Sequence, residues 1–265
     1  MANKVLIILV LAVVIVISVL VAVVIAKKKS VLQQTSTDSP IANKNQISNS
    51  KTNPENNNPI LIKNLPVNFA PYDPTTNMAG DFKFTKQKLQ FDRLLMDYGF
   101  YIPASPDKKA KNNPQPAFIV PLGTKVMSIV DGVVVDIPKL YSDDFSVMVA
   151  RSNNDGELSF ETEHVKNVVV KVGDTVKAGD IIAEASDYNS QWTPGFGLVE
   201  IGILKGGNPP HHLCPYLFLD PSAKENIFAS LKTFYSDWNT YTGKTLYNLS
   251  DYKTIGCLVE GEIEG

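Results

Sequence analysis

Short runs of β-branched and apolar residues, separated by Gly, Asp and Asn, fill the chain from residue 117 to about residue 205. Strand-like runs with a turn signal about every eight to twelve positions are typical of antiparallel sandwiches and barrels rather than of parallel α/β sheets. The pattern predicts strands at 117–121, 125–129, 132–137, 146–151, 158–162, 168–171, 181–185 and 198–205. We therefore expect a domain that is mainly β and antiparallel.

Two segments outside this region carry helical periodicity. Residues 84–100 place apolar side chains at positions that fit either one short amphipathic helix or a helix followed by a strand. Near the C-terminus, Pro221 can begin a helix, and apolar and aromatic residues recur at helical spacing over 222–239. We expect this second helix to pack its aromatic stripe against the sheet.

Residues 5–26 form the most apolar stretch of the chain, with no charge and with Ser18 as the single polar side chain. As a helix, this stretch would span about 33 Å, enough to cross the hydrocarbon core of a bilayer. The rival interpretation is a cleaved signal peptide, which the length of the run and the lack of a small-residue cleavage site disfavour. We therefore predict one retained transmembrane helix within residues 1–29.

The segment after this anchor changes character. Residues 30–66 are rich in Asn, Ser, Thr, Gln and Pro, so they are predicted to be a disordered polar linker. Residues 67–265 carry a net charge of −7, and the whole chain carries −2. An acidic head lacks the basic surface that phosphate backbones require, so nucleic acid is excluded as a partner. The head divides into an N-terminal extension at 67–112, a β domain at 113–220, and a C-terminal helix and tail at 221–265.

Two segments of the β domain carry a family resemblance. The first reads Pro-Leu-Gly-Thr-Lys-Val at 121–126, followed by Asp-Gly-Val-Val at 131–134. The second begins at His164 and continues in register through Gly173 and Gly179. Together they resemble the lysostaphin-type (LytM-like) zinc metallopeptidase domain. The resemblance implies a duplicated hybrid motif, an antiparallel barrel-sandwich, in agreement with the strand pattern.

The resemblance also implies where an active site should lie, and there the chain departs from the family. The family binds one zinc through the His and Asp of a His-x-x-x-Asp motif and the second His of a His-x-His motif. In this chain the first motif falls on Asn113 and Ala117, and the second on Gly197 and Val199. Only His164, at the position of a family acid–base histidine, is retained. Alanine and valine offer no lone pair to a metal, so we predict a degenerate member without a cofactor, whose ancestral groove these five residues line.

A rebuilt zinc site is the alternative. Its ligands would be His164, His211 and His212 together with a glutamate, although neighbouring residues of a strand point to opposite faces. Glu161 and Glu163 are expected to be solvated charges on an exposed loop.

Cys214 and Cys257 are the two cysteines of the chain. If the head lies outside the cytoplasm, a disulfide between them would tie the tail to the β domain. Otherwise they are two unrelated buried thiols.

These observations predict a membrane-anchored, single-pass, non-catalytic peptidase-like domain of the cell envelope. The resemblance implies peptidoglycan, a cell-wall enzyme or another envelope protein as the partner. The alternatives are an active zinc peptidoglycan endopeptidase with relocated ligands and a structural protein of a surface complex. The lysines that flank the apolar stretch slightly favour a cytoplasmic head, but the implied ligands are extracytoplasmic, and we expect the head on their side of the membrane.

Overall fold

The computed structural model describes residues 59–106, 108–151 and 158–265. This part of the chain is mainly β, with one long helix near its C-terminus, which confirms the predicted fold class at that level. Among the described residues no helix is long and apolar enough to cross a membrane. The predicted anchor at 5–26 lies outside the described residues, as does most of the predicted linker.

The strands are short at both ends of the described chain and longest in the middle. The first five strands are β1 (Met78–Ala79), β2 (Phe82–Lys83), β3 (Leu95–Met96), β4 (Tyr101–Ile102) and β5 (Lys111–Asn112). They are followed by β6 (Ala117–Pro121), β7 (Lys125–Met127), β8 (Gly132–Asp136), β9 (Phe145–Ala150) and β10 (Ser159–Lys166). The last five are β11 (Thr175–Val176), β12 (Ile181–Ala185), β13 (Phe196–Gly207), β14 (Pro210–Leu213) and β15 (Ile263–Glu264).

An 11-stranded antiparallel sheet organises the domain, and the long strand β13 is its centre. β10 pairs with the middle of β13, while β6 and β14 pair with its first and last parts. The main order is β11-β8-β9-β10-β13-β14-β15, and β12 branches from β10 toward β7. Within the described residues this path does not return on itself. The prediction of a barrel is therefore not confirmed, because β13 divides its pairing among three partners instead of closing a ring.

The predicted helix at 84–100 is largely absent. A single 3₁₀ turn at Gln90–Asp92 replaces it, and β3 follows directly. Phe91 and Asp92 both have φ near 55°, a left-handed conformation that a right-handed helix cannot continue through. The sequence pattern could not separate the two arrangements because the same apolar positions serve a strand that pairs with β6.

The C-terminal helix, α1 (Pro221–Thr242), matches the predicted one within a few residues. Asp220 caps it by accepting a hydrogen bond from the Ser222 backbone at 2.9 Å, and Gly243 ends it with φ 68°. A side-chain cap and a left-handed glycine satisfy backbone groups that the helix ends leave unpaired.

Aromatic residues of the N-terminal extension fill the space between α1 and the sheet. Phe82 lies 4.5 Å from Phe234, and Phe84 lies 4.8 Å from Trp238, between ring centroids. Ile62 and Leu65 are also buried. The predicted linker therefore ends too late in the sequence, since residues from Ile62 onward already belong to the core of the head.

Asp97 joins the helix to the tail from inside the core. Its carboxylate accepts hydrogen bonds of 2.6 Å from the hydroxyls of Tyr235, on α1, and Tyr252, in the tail. Burial raises the pKa of Asp97 to about 6, although these hydrogen bonds and the charge of Arg93 favour the ionised form. The carboxylate thus holds two chain segments together at the cost of its own desolvation.

A disulfide between Cys214 and Cys257 makes the second connection between tail and sheet. The two residues are 43 positions apart in sequence, with Cα atoms 6.1 Å apart. Both are buried, so the bridge lies within the core.

We predict that replacing both cysteines by serine lowers the free energy of unfolding by about 3–4 kcal/mol, because the unfolded chain regains the entropy of a long loop. Guanidinium denaturation of the full chain measures the change. Dithiothreitol should destabilise the wild type and leave the double variant unaffected. An equal response of both proteins would show that the bridge is absent.

We also predict that Asp97 makes the protein more stable in mild acid. Its pKa is higher in the folded state than the usual unfolded value near 3.9. The ionised, buried carboxylate therefore destabilises the fold at neutral pH, and this destabilisation disappears as pH falls from 7 to 4. Between these pH values the wild type should gain about 2–3 kcal/mol relative to Asp97→Asn. Urea denaturation at several pH values measures it, and parallel curves for the two proteins would contradict it.

Candidate functional site

A row of side chains crosses three neighbouring strands of the sheet. The register of β10 against β13 places Glu163 opposite Glu200, and the register of β13 against β6 places Glu200 opposite Ala117. Residues directly opposite each other on antiparallel strands share one face of the sheet. Glu163, Glu200 and Ala117 therefore lie side by side, on what we call the Glu200 face.

His164 reaches this row because β10 is irregular. In a regular strand it would point away from Glu163, its neighbour in sequence. Its φ is 56°, and the pairing of β10 with β9 shifts register between Thr162 and Val165. Such a bulge re-aims a side chain, and here Nε2 of His164 lies 3.7 Å from the Glu200 carboxylate.

Asp144, the residue before β9, holds the other side of the imidazole. Its Oδ2 lies 3.0 Å from Nδ1 of His164 and accepts a 2.5 Å hydrogen bond from the Ser186 hydroxyl. Burial opposes the charged imidazolium, but the hydrogen bond to Asp144 and the charge of Glu200 outweigh it and raise the pKa of His164. Burial likewise opposes ionisation of Asp144, yet the hydrogen bonds from His164, Ser142 and Ser186 lower its pKa. The contact fixes a proton on Nδ1 and aims Nε2 at Glu200.

Tyr188 and Tyr141 pack against His164, and Trp192 packs against Tyr188. Tyr188, on the 3₁₀ helix Tyr188–Gln191, stacks on the imidazole with centroids 4.1 Å apart and 1° between the planes. Its hydroxyl hydrogen bonds to that of Tyr141 at 2.8 Å, and Trp192 packs edge-on against its ring. Tyr141 is 85% exposed and Trp192 is 47% exposed. We call Tyr141, Tyr188 and Trp192 the aromatic cluster; it presents ring surface to solvent next to a buried histidine.

A second buried carboxylate, Glu161, lies beside the row. Gln115 Nε2 donates to Glu161 at 2.8 Å and to Glu163 at 2.9 Å. Glu161 pairs with Gly202, where a Cβ would come within 2.2 Å of the Glu161 carboxylate. The prediction that Glu161 and Glu163 lie on an exposed loop is wrong: both are on β10, and Glu161 is buried because Gln115 and the space at Gly202 accommodate it.

The Glu200 face is rich in carboxylates, and Lys111 acts on Glu200 through its charge without forming an ion pair within the described residues. Burial raises the pKa of Glu161 well above its usual range, and the charge of Glu163 adds to the effect. Burial also raises the pKa of Glu200 to about 7, although His164 opposes the shift. In the described ranges, the ion pairs of Glu161 and Glu200 are to histidines, without a lysine or arginine at ion-pair distance.

The two C-terminal histidines point in different directions from β14. His212 is buried, with Nδ1 3.6 Å from Glu161, and burial lowers its pKa to about 4. His211 is exposed and lies 3.6 Å from Glu262. Over the residues that the structure describes, the group with donor atoms close enough to share a metal is Glu163, His164 and Glu200. The alternative set of His164, His211 and His212 is not such a group.

Residues 117–203, from the start of β6 into β13, match the family model of Peptidase family M23. These residues form a lysostaphin-type M23 domain. The match covers about one third of the chain, and it confirms the resemblance found in the sequence. No curated protein sequence matches the chain.

Several solved structures are also similar to this chain. The catalytic domain of the prophage-encoded protein EnpA from Enterococcus faecalis aligns over 45% of this chain and 85% of its own, at 24% identity and a TM-score of 0.34. The lysostaphin catalytic domain from Staphylococcus simulans aligns over 46% of this chain and 88% of its own, at 23% identity and a TM-score of 0.37. Csd3 from Helicobacter pylori aligns over 72% of this chain and 45% of its own, at 14% identity and a TM-score of 0.38.

Strand pairing in the M23 domain places the second family motif one residue later than counting along the sequence does. Ala117 stands at the position of the family aspartate, and the residue opposite it on β13 is Glu200. Because one zinc must contact both motifs from the same face, the His-x-His positions correspond to Leu198 and Glu200. Counting along the sequence alone placed them one residue earlier.

Gly197 and Val199, which the sequence places in the groove, therefore lie on the other face of β13. Val199 is fully buried in the hydrophobic core. A Cβ at Gly197 would lie 2.3 Å from the backbone oxygen of Ser186, so close packing explains this glycine. Asn113 is buried, and its amide donates to the backbone oxygen of Gln115.

The ligand positions of the family do not fit its zinc. Asn113 uses its amide within the fold, and Ala117 has no donor atom. Of the three ligand positions only Glu200 offers a donor of the kind that zinc takes in proteins, which are thiolate, imidazole and carboxylate. The zinc-dependent mechanism of the family therefore has no ligand set at these positions.

Sequence reasoning missed Glu200, Asp144 and Tyr188. Glu200 carries a usable signal, since it is a lone charge inside the apolar run Phe-Gly-Leu-Val-Glu-Ile-Gly-Ile-Leu at 196–204. Asp144 and Tyr188 carry none, because each is far from His164 in sequence and reaches it through the fold.

We predict that Gly202→Ala lowers the free energy of unfolding by about 1–3 kcal/mol, because the new methyl group overlaps the Glu161 carboxylate. Chemical denaturation of the full chain measures the loss. In a Glu161→Ala background the same substitution should cost much less, which a double-mutant cycle records. Equal costs in the two backgrounds would contradict the assignment.

Proposed function

We propose that this chain is a non-catalytic M23-type module that binds peptidoglycan in the cell envelope, held to the membrane by its N-terminal apolar segment. One observation carries the proposal. The row that should hold the catalytic zinc contains Ala117 in place of a ligand, while exposed aromatic side chains stand next to the same site.

The absence of a hydrolytic role follows from the chemistry that the family uses. Zinc polarises the scissile carbonyl and lowers the pKa of a bound water, and histidines beside it transfer protons. Here one family ligand position is alanine and another is an asparagine engaged with the backbone. His164 is the single family histidine that remains, and Asp144 and Tyr188 hold it in one orientation.

The aromatic cluster supports a binding role. Exposed aromatic rings that form one patch on the protein surface mark interaction sites more often than scattered apolar residues do. Flat rings suit the apolar faces of sugars, and hydroxyl and carboxylate groups around them can hydrogen bond to a peptide stem. Tyr141, Tyr188 and Trp192 provide such rings, and Glu163 and Glu200 lie behind them.

The membrane-anchored location rests on the sequence. Residues 5–26 have the length and composition of a transmembrane helix. The polar residues that follow would give the head a reach of roughly 30 Å from the bilayer. An extracytoplasmic head is also consistent with the disulfide, which persists in oxidising compartments.

An active zinc endopeptidase with relocated ligands is the second candidate. The group of Glu163, His164 and Glu200 favours it, because these three donors could hold a metal. Against it, His164 would then be a ligand, and the acid–base histidine of the family would have no replacement among the described residues. His212 lies by Glu161 instead, and His211 is exposed.

We predict that the detergent-solubilised full chain cosediments with purified peptidoglycan. Trp192→Ala and Tyr141→Ala should weaken binding about 5–50-fold, the range for truncating an anchoring aromatic residue. Binding isotherms from cosedimentation measure the dissociation constants.

Tyr101→Ala is the matched control, because Tyr101 is 61% exposed on β4 and is not in the aromatic cluster. Its isotherm should equal that of the wild type. Equal binding by all variants would exclude the aromatic cluster as the contact surface, and no binding by the wild type would point to an envelope protein as the partner instead.

A further inference from the structure

Three donor atoms converge on the Glu200 face from two strands. Glu163 and His164 come from β10 and Glu200 from β13, and one ligand atom of each lies within 4.8 Å of the others. Zinc ligands stand about 3.4 Å apart when the metal is 2.0–2.2 Å from each of them. The 3.7 Å between His164 Nε2 and the Glu200 carboxylate is close to that separation.

The imidazole is oriented as a metal ligand would be. Its Nδ1 lies 3.0 Å from Asp144, a buried carboxylate, so in the neutral imidazole Nε2 has the free lone pair and faces Glu200. Metal-binding histidines commonly donate their other ring N–H to a carboxylate, which fixes the tautomer and increases the basicity of the ligand. His164 is 4% exposed, and in the described part of the chain no hydrogen-bond partner contacts its Nε2.

The carboxylates are short of partners. Among the described residues, no hydrogen-bond donor contacts the Glu200 carboxylate, and Glu163 accepts one hydrogen bond from Gln115. Both glutamates are partly buried, and charges removed from water are normally paired, hydrogen bonded or bound to a metal. The nearest basic group, His164, lies beyond hydrogen-bond distance from Glu200.

We propose that Glu163, His164 and Glu200 bind one divalent cation of the zinc type, with Asp144 as the residue that orients the histidine. An imidazole in the ligand set favours zinc over magnesium and calcium, which prefer oxygen ligands alone. Two of these ligands, Glu163 and His164, are not at the positions that the M23 family uses. The inference goes beyond the proposed function, because a peptidoglycan-binding module could act with or without a cation.

The test measures zinc binding without any enzyme assay. The purified full chain in detergent, free of affinity tags, is stripped with chelator, exposed to zinc, passed through gel filtration and analysed by atomic emission. We expect about one equivalent of zinc. Calorimetric titration should show binding at least tenfold weaker for Glu200→Gln and Glu163→Gln, the loss that removal of one ligand or orienting group produces. Magnesium and calcium should not compete.

Two controls separate this site from adventitious binding. Glu184→Gln removes a partly exposed carboxylate on β12 that pairs with Lys125, and it should leave the affinity unchanged. His211→Ala removes the exposed histidine beside Glu262, and it should also have no effect.

Three results would overturn the cation site: zinc well below one equivalent, loss of zinc in His211→Ala, or full affinity in both glutamine variants. Thermal melts confirm that each variant is folded, and the two glutamine variants are independent, so one that fails to fold leaves the other to decide. Peptidoglycan cosedimentation is scored separately, so failure of either proposal is recognised on its own.

Discussion

The bulge at His164 is the local feature on which the candidate site depends. A left-handed residue in the middle of β10 places two consecutive side chains, Glu163 and His164, at the same row of the sheet. Such a conformation is rare outside glycine and costs free energy. The surroundings offset that cost through the hydrogen bond from His164 to Asp144 and the stacking of Tyr188. Without the bulge, the imidazole would face the opposite side of the sheet and Glu200 would lose the histidine at ion-pair distance from it.

The rest of the head holds that strand in place. β13 pairs with β10, β6 and β14, so the row at Glu200 is supported on both sides. Beyond the M23 domain, α1 and the N-terminal extension share an aromatic core, and the tail is fixed by Asp97 and by the disulfide. Asp97 directly follows Met96, which pairs with Ala117, so this connection reaches the strand next to the Glu200 face.

Local patterns of the sequence predicted the mainly β class and the C-terminal helix, but not the whole topology and only part of the site. The strand at 117–121 and the strand at 181–185 follow from their β-branched runs, and α1 follows from its proline, its apolar stripe and Gly243. The prediction of a helix at 84–100 failed because residues in the left-handed conformation interrupt this segment. At the site, counting along the chain aligned Val199 with a ligand position, whereas the pairing of β13 with β6 places Glu200 there. Register depends on contacts between distant strands, which periodicity cannot reveal.

Ala117 and Asn113 stand at two ligand positions of the family, beside an oriented histidine, carboxylates and exposed aromatic rings, and this arrangement supports our proposal of recognition rather than hydrolysis. The most direct test is to incubate the full chain with purified peptidoglycan and excess zinc and to quantify soluble fragments. An M23 enzyme with an intact His-x-x-x-Asp and His-x-His set serves as the positive control. The account predicts no release above buffer. Release by this chain that His164→Ala abolishes would contradict it.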